Sequence, residues 1–301
     1  MKVSDYLSRD EVVYLTRRSD WRAGGILLGN WLLIAAIFFV VAMWPNPLVL
    51  ILAVILLAGR QMGLAVLMHD CGHGTFFNSK PLNDSVGQWL CALPIMNDQP
   101  SYARGHLEHH RKAGTQADPD LSNYQAYPIS RESLKRKVTR DLTGRTGYRL
   151  IVFMTVRLID AIKGGDLALA RSYFKPFLAQ VLLFFALSAF GIPWAYLLWV
   201  TAYMTFFMLI IRVRQVAEHA AVPDLYNPDT RLNTRSVDAP WWQRLTMVPN
   251  GVNYHLEHHF MASVPCYRLR ALRELLKSRH ALDGVPAFSG YGALLKHVVA
   301  A

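Results

Sequence analysis

The sequence predicts an all-α membrane protein with four transmembrane helices in two hairpins and a helical cap on one side of the bilayer. Three observations lead there. The 301 residues are 52% hydrophobic, above the usual share for a water-soluble globule. Four stretches have the length and the near absence of charge that a bilayer core demands. The basic residues fall almost wholly on one side of those stretches.

The first stretch, Gly25–Trp44 (GILLGNWLLIAAIFFVVAMW), is uncharged. It is too long for the core of a signal peptide, and a second apolar segment follows at once, so it reads as a span. Pro45-Asn46-Pro47 breaks the chain, because proline lacks an N–H and disfavours helix in the residue before it. The second stretch runs from about Leu48 to Met68, interrupted only by Arg60. The third and fourth, Pro176–Gly191 and Pro193–Ile211, lie at the short end for spanning, with Ile192-Pro193 as the turn between them. The expected spans are thus 25–44, 48–68, 176–191 and 193–211, with the cap made from 1–24, 69–175 and 212–301 as one domain. Trp44, Trp194 and Trp199 suit an aromatic belt at the interface. Trp89–Met96 is too short to cross and reads as re-entrant or interfacial. Tyr148–Ile162 mixes apolar residues with Arg149, Arg157 and Asp160, which fits an amphipathic helix on the membrane surface or a core helix of the cap.

Of the 32 Lys and Arg residues, 5 lie in 1–24, 15 in 69–175 and 11 in 212–301; Arg60 is the remaining one, and the two short turns on the other side hold none. By the positive-inside rule both termini and the central loop are cytoplasmic. The net charge of +11 is then a consequence of topology, with membrane lipid as the partner and no nucleic acid. Cys71, Cys91 and Cys266 form no CxxC and are odd in number, which fits a reduced compartment.

One motif is repeated. HLEHH occurs as His106–His110 and as His255–His259. His69 and His73 in HDCGH stand at i and i+4, and within HLEHH the first histidine pairs with the fourth and fifth residues, so three imidazoles are expected on one helical face. With His219, nine of the 11 histidines emerge on the same side of the membrane; His280 and His297 read as surface residues. Imidazole suits Fe, Zn, Cu and Ni, and nine donors exceed what one ion accepts, so a di-metal histidine cluster with about four ligands per ion is expected in the cytoplasmic cap. A zinc protease helix would need Glu after its first histidine, where Asp70 stands. A metal transporter would need ionisable residues near the midplane, where Arg60 is alone.

HxxxH, HxxHH and HxxHH, in this order around two hairpins, resemble the integral-membrane fatty acid desaturases, and the resemblance covers essentially the whole chain. It implies His69, His73, His106, His109, His110, His255, His258 and His259 as metal ligands. It also implies a ninth just past the last span, where His219 is the histidine present. Gln215, one turn earlier, would hold a water on the metal. Asp70, Asp118 and Asn253 are candidates to hydrogen-bond the second nitrogens of the ligands. The implied cofactors are two iron ions (Fe2+/Fe3+) with O2 as co-substrate. The implied reaction places a double bond in a long acyl chain linked to lipid, CoA or a carrier protein. No cytochrome domain, CxxC pair or flavin fingerprint is present, so electrons are expected from a separate ferredoxin-, rubredoxin- or cytochrome b5-like protein. A lipid or carotenoid hydroxylase, a ketolase or an oxidative decarboxylase on the same scaffold remains open, as does a non-redox metal-dependent membrane hydrolase.

Overall fold

The structure, a computed structural model, describes residues 1–300 and is almost wholly helical. The helices in chain order are α1 Arg9–Thr16, α2 Asp20–Met43, α3 Pro47–Gly72, α4 Lys80–Val86, α5 Gln99–Lys112, α6 Arg131–Leu142, α7 Arg145–Lys163, α8 Leu167–Ala189, α9 Pro193–His219, α10 Trp241–Thr246, α11 His255–Phe260, α12 Leu269–Ser278 and α13 Tyr291–His297. Among the described residues the β-pairing is a single isolated bridge between Ile129 and Val299. Helices α2, α3, α8 and α9 are long and apolar enough to cross a membrane.

All four spans are longer helices than hydropathy indicates. α2 starts at Asp20, α3 continues to Gly72, α8 starts at Leu167 rather than Pro176, and α9 continues to His219. Hydropathy marks only the lipid-facing part, whereas a helix runs to its caps. Ser19 accepts from Arg22 N–H and Asp166 from Leu169 N–H, which starts α2 and α8 outside the apolar stretch. Asn46 caps α3 in the same way, with Pro47 at its first position. Leu28, Leu32, Phe39, Leu48, Ile51, Leu182 and Phe185 project outward from the spans. Each such side chain gives up roughly 1.5–3 kcal/mol if left in water, so this surface is built for hydrocarbon.

The spine of the molecule is α3, which packs against α2, α9 and the segment before α5. Arg60 is buried and donates to Asn30 Oδ1 at 3.4 Å and to the Leu245 carbonyl. The charge is held by acceptors from α2 and α10. Gly59 lets α10 touch α3, since a Cβ there would run into the Thr246 carbonyl. Gly147 does the same for α7 against α9, where a Cβ would stand 2.7 Å from Met204 Cα.

Residues 87–96 form a short, irregular helical segment that does not cross. Its Pro94 carbonyl accepts from Gln180 Nε2 at 3.0 Å and from the Trp199 indole at 3.2 Å. Trp199 is therefore core, at 1% exposure, and does not belong to the aromatic belt; Trp44 and Trp194 are exposed as the belt requires. Residues 148–162 are not a core helix: α7 leaves Tyr148, Phe153, Val156, Ile159 and Ile162 exposed along one apolar side, as a helix on a membrane surface requires.

Gly59→Val should lower the unfolding midpoint in detergent, at a cost of about 1–3 kcal/mol for an overpacked contact. Gly24→Val, where nothing lies within 4 Å, should leave it unchanged. Equal midpoints for the two variants would mean that α10 does not rest on α3.

Candidate metal centre

Four elements bring nine histidines together at the cap end of the spans. His69 and His73 come from the last turn of α3, His106, His109 and His110 from α5, His219 from the end of α9, and His255, His258 and His259 from α11. They fall into two groups: His69, His73, His106, His110 and His258, and His109, His219, His255 and His259. Within each group the ligating atoms lie within 4.8 Å of one another. His280 and His297 stand apart, the first against Asp283 and the second against the Ala221 carbonyl.

Each HLEHH string is divided between the groups, so its three imidazoles do not share one destination. Positions i+3 and i+4 are about 100° apart around a helix. α5 sends His106 and His110 to the first group and His109 to the second, and α11 does the reverse with His258 against His255 and His259. The division is five and four.

The nitrogens inside the groups face one another. His258 Nε2 is 3.0 Å from His69 Nε2 and 2.9 Å from His110 Nε2, which is 3.0 Å from His106 Nε2. In the second group His219 Nε2 and His255 Nε2 are 2.9 Å apart. The opposite ring nitrogens tell where the protons are. His69 Nδ1 lies 3.0 Å from Asp70, His109 Nδ1 2.8 Å from Asp118, and His219 Nδ1 3.1 Å from the Asn233 carbonyl. Carboxylates and carbonyls accept, so Nδ1 carries the proton and the inward Nε2 is a bare lone pair. His73 Nε2 and His259 Nε2 are buried with no partner at all. Bare lone pairs about 3 Å apart repel unless a cation lies between them, and neutral imidazole is the form that binds one. The residues fit a metal.

Burial, reinforced by neighbouring histidines, keeps most of these rings neutral. His73 is pushed down to about 3 and His110 to about 2, and His106, His255, His258 and His259 also fall well below the ordinary histidine value. Asp118 feels burial pushing it up, but hydrogen bonds from His109 and Tyr124 more than offset this and hold it below the usual carboxylate range.

One of the four supporting residues expected from sequence lies elsewhere. Asn253 exchanges hydrogen bonds with the Val237 backbone and touches no histidine, because the chain turns there before α11 begins. Gln215 faces a cavity and makes no hydrogen bond to a histidine. Glu218 and Asn233 were not anticipated. Glu218 Oε1 lies 3.5 Å from His255 Nδ1 and 3.3 Å from Arg214 Nε. Its place directly before His219 was the available signal; the Asn233 carbonyl had none, being a backbone group far along the chain. Tyr102 stacks on His106 and Tyr124 on His219. Of the two motif glutamates, Glu108 is at the surface beside Arg111, whereas Glu257 is buried and bonds Arg273 at 2.6 Å, which pins α11 to α12.

Below the cluster lies an apolar cavity of about 440 Å³ bounded by α3, α5, α7, α8 and α9. Met68, Tyr102, Arg214 and Gln215 close its upper end. Arg214 also borders a small space of about 20 Å³ against His69, His106, His255 and His258.

Over residues 45–290 the chain matches the family described as fatty acid desaturase, and it belongs to that family. It is 24% identical to a dihydrorhizobitoxine desaturase of Bradyrhizobium elkanii over 248 residues, 78% of this chain and 68% of that protein. It is 25% identical to an sn-1 acyl-lipid omega-3 desaturase (ferredoxin) of a Synechocystis species over 240 residues, 71% of this chain and 63% of that protein. A shorter match of 94 residues, 31% of this chain and 36% of the relative, is 33% identical to a beta-carotene ketolase of a Paracoccus species. The chain thus spans about two thirds of the length of the desaturases it matches. It is a membrane oxidoreductase of that family.

Asp118→Asn keeps a hydrogen-bonding oxygen and loses the charge, and should weaken metal binding about 10- to 100-fold. Titrating metal-free protein with ferrous ion checks this, and unchanged affinity would remove Asp118 from the site. The buried rings have folded values below the unfolded value of about 6.5. As pH falls the unfolded chain takes up protons that the folded one refuses, so metal-free protein should lose stability from about pH 6.5 downward. Unfolding midpoints on either side of that pH measure it, and a flat profile would mean that the folded cluster accepts protons.

Proposed function

We propose that this chain is an O2-dependent di-iron desaturase that introduces a double bond into a long acyl chain, with residues 1–301 acting as one domain. The carrying observation is that inward-facing imidazole nitrogens form two groups directly above an apolar cavity. His69, His73, His106, His110 and His258 would hold one iron, and His109, His219, His255 and His259 the other. Two iron ions held there supply the activation of O2 needed to break an unactivated C–H bond.

The protein's own residues do the rest. Asp70 and Asp118 orient the rings of His69 and His109 through their outer nitrogens, and Glu218 lies 3.5 Å from that of His255. The cavity walls hold the acyl chain and keep water from it, and Tyr102 with Arg214 marks where a carbon pair comes nearest the histidines. Removing one hydrogen from each of two neighbouring methylenes while O2 becomes two waters requires two more electrons and two protons. A separate donor, ferredoxin-, rubredoxin- or cytochrome b5-like, therefore belongs to the proposal. The placement of 31 of 32 basic residues on the histidine side supports a cytoplasmic site and cytoplasmic termini. The acyl chain arrives linked to lipid, CoA or a carrier protein; the relatives named for acyl-lipid substrates favour lipid. The stretch similar to a ketolase supports a second reading, oxidation of a carotenoid methylene at the same site.

Protein purified anaerobically with iron supplied should carry about two irons per chain. His258→Ala should abolish turnover and His280→Ala should not. Ala65→Phe, which fills the cavity wall, should cut turnover at least ~10-fold with iron content unchanged. Lipid profiles of a host making the protein should gain an unsaturated acyl chain. One tightly bound zinc per chain with full activity would overturn the di-iron reading, and ketocarotenoid without new unsaturation would favour the second.

A further inference from the structure

A second amphipathic cleft lies on the other flank of α3. Two cavities of about 510 and 310 Å³ adjoin there and share Arg244, Asn253, Tyr254 and Arg270. The larger opens beside Ile26 of α2 and is walled by Trp241 and Leu245 of α10. The smaller is polar and reaches Lys277 and Ser289.

The depth of this cleft follows from α10. It rests on Gly59, about 18 Å of helical rise from Pro47. In a hydrocarbon core about 30 Å thick with Pro47 at its far boundary, α10 then lies about 12 Å inside the cap-side boundary, close to the depth of interfacial helices. Its outward residues suit that depth: Trp241 is 70% exposed, and Trp242 and Leu245 are also open. Trp21, at the start of α2, is 90% exposed at the same end of the bundle. The cleft therefore opens sideways into the leaflet, apolar below and basic above.

The charges are available. Arg244, Arg270 and Lys277 are exposed and form no ion pair among the described residues. Arg270 and Lys277 are seven residues apart on α12 and share a face. Arg273, also in the wall, is already engaged by Glu257 at 2.6 Å and Asp238 at 2.8 Å. Glu274 is the one unengaged acid in the lining, so free positive charge prevails over free negative charge.

We infer that this cleft binds an anionic phospholipid of the bilayer, its phosphate between Arg244 and Arg270 and an acyl chain along Ile26, Trp241 and Leu245. The site lies apart from the 440 Å³ cavity and does not depend on the reaction proposed above.

Native mass spectrometry of the whole protein in micelles doped with equal phosphatidylglycerol and phosphatidylcholine tests it. Phosphatidylglycerol should be retained preferentially, and the double variant Arg244→Gln/Arg270→Gln should lose that preference. A cation at a membrane surface is worth about 5-fold, so the pair should account for roughly 30-fold. Arg131→Gln/Arg136→Gln, on α6, should leave the preference intact. An equal loss in that control would reduce the effect to general charge and overturn the site. Displacement of the lipid by excess inorganic phosphate would show that the acyl chain contributes nothing, and would overturn a lipid as the ligand. Both arginines are exposed, and an unchanged unfolding midpoint confirms that the variants are folded.

Discussion

Lone pairs that face one another about 3 Å apart are the constraint on which this structure turns. Imidazoles avoid such contacts in water, where each Nε2 would take a proton or a solvent hydrogen bond. Here that relief is restricted. Burial opposes protonation, neighbouring rings oppose it further, and the Nδ1 protons of His69, His109 and His219 are committed to outward acceptors. The arrangement is favourable only around cations, and much of the cap exists to hold it. Asp70 accepts on one side from His69 and on the other from the Cys266 backbone at 2.6 Å, so it ties α3 to the chain beyond α11. Glu257, Ser236 and Arg273 lock α11 from behind.

The spans serve the same end. α3 is the longest apolar helix of the first hairpin, and it continues past the lipid to deliver His69 and His73 without an intervening hinge. α9 does likewise for His219. Rigid helices crossing from bilayer to cap fix the height of the cluster above the apolar cavity. Glycines at the crossing points allow the close contacts, and Arg60 is tolerated inside α3 because Asn30 and the Leu245 carbonyl receive its protons. The same contact seats α10, whose tryptophans are exposed.

The number and order of the spans, the short turns between them and the membership of nine histidines in one region were legible in the sequence. Those properties are local or additive. Hydropathy sums along a stretch, proline acts on its own backbone, and a spacing of three or four residues places side chains on nearby turns. What the sequence did not disclose depends on which distant segments meet. The splitting of each HLEHH between two groups follows from how α5 and α11 face one another across the cluster. Trp199 went to the core because residues 93–94 fold back on it, and Asn253 turned to Val237 instead of a histidine. The Asn233 carbonyl reached His219 from 14 residues away, a contact that no periodicity encodes. Composition and spacing determined that this chain is a four-span membrane protein with a histidine cluster. Tertiary packing decided which nitrogen faces which, because that choice belongs to pairs of elements whose separation in the chain carries no information about their distance in space.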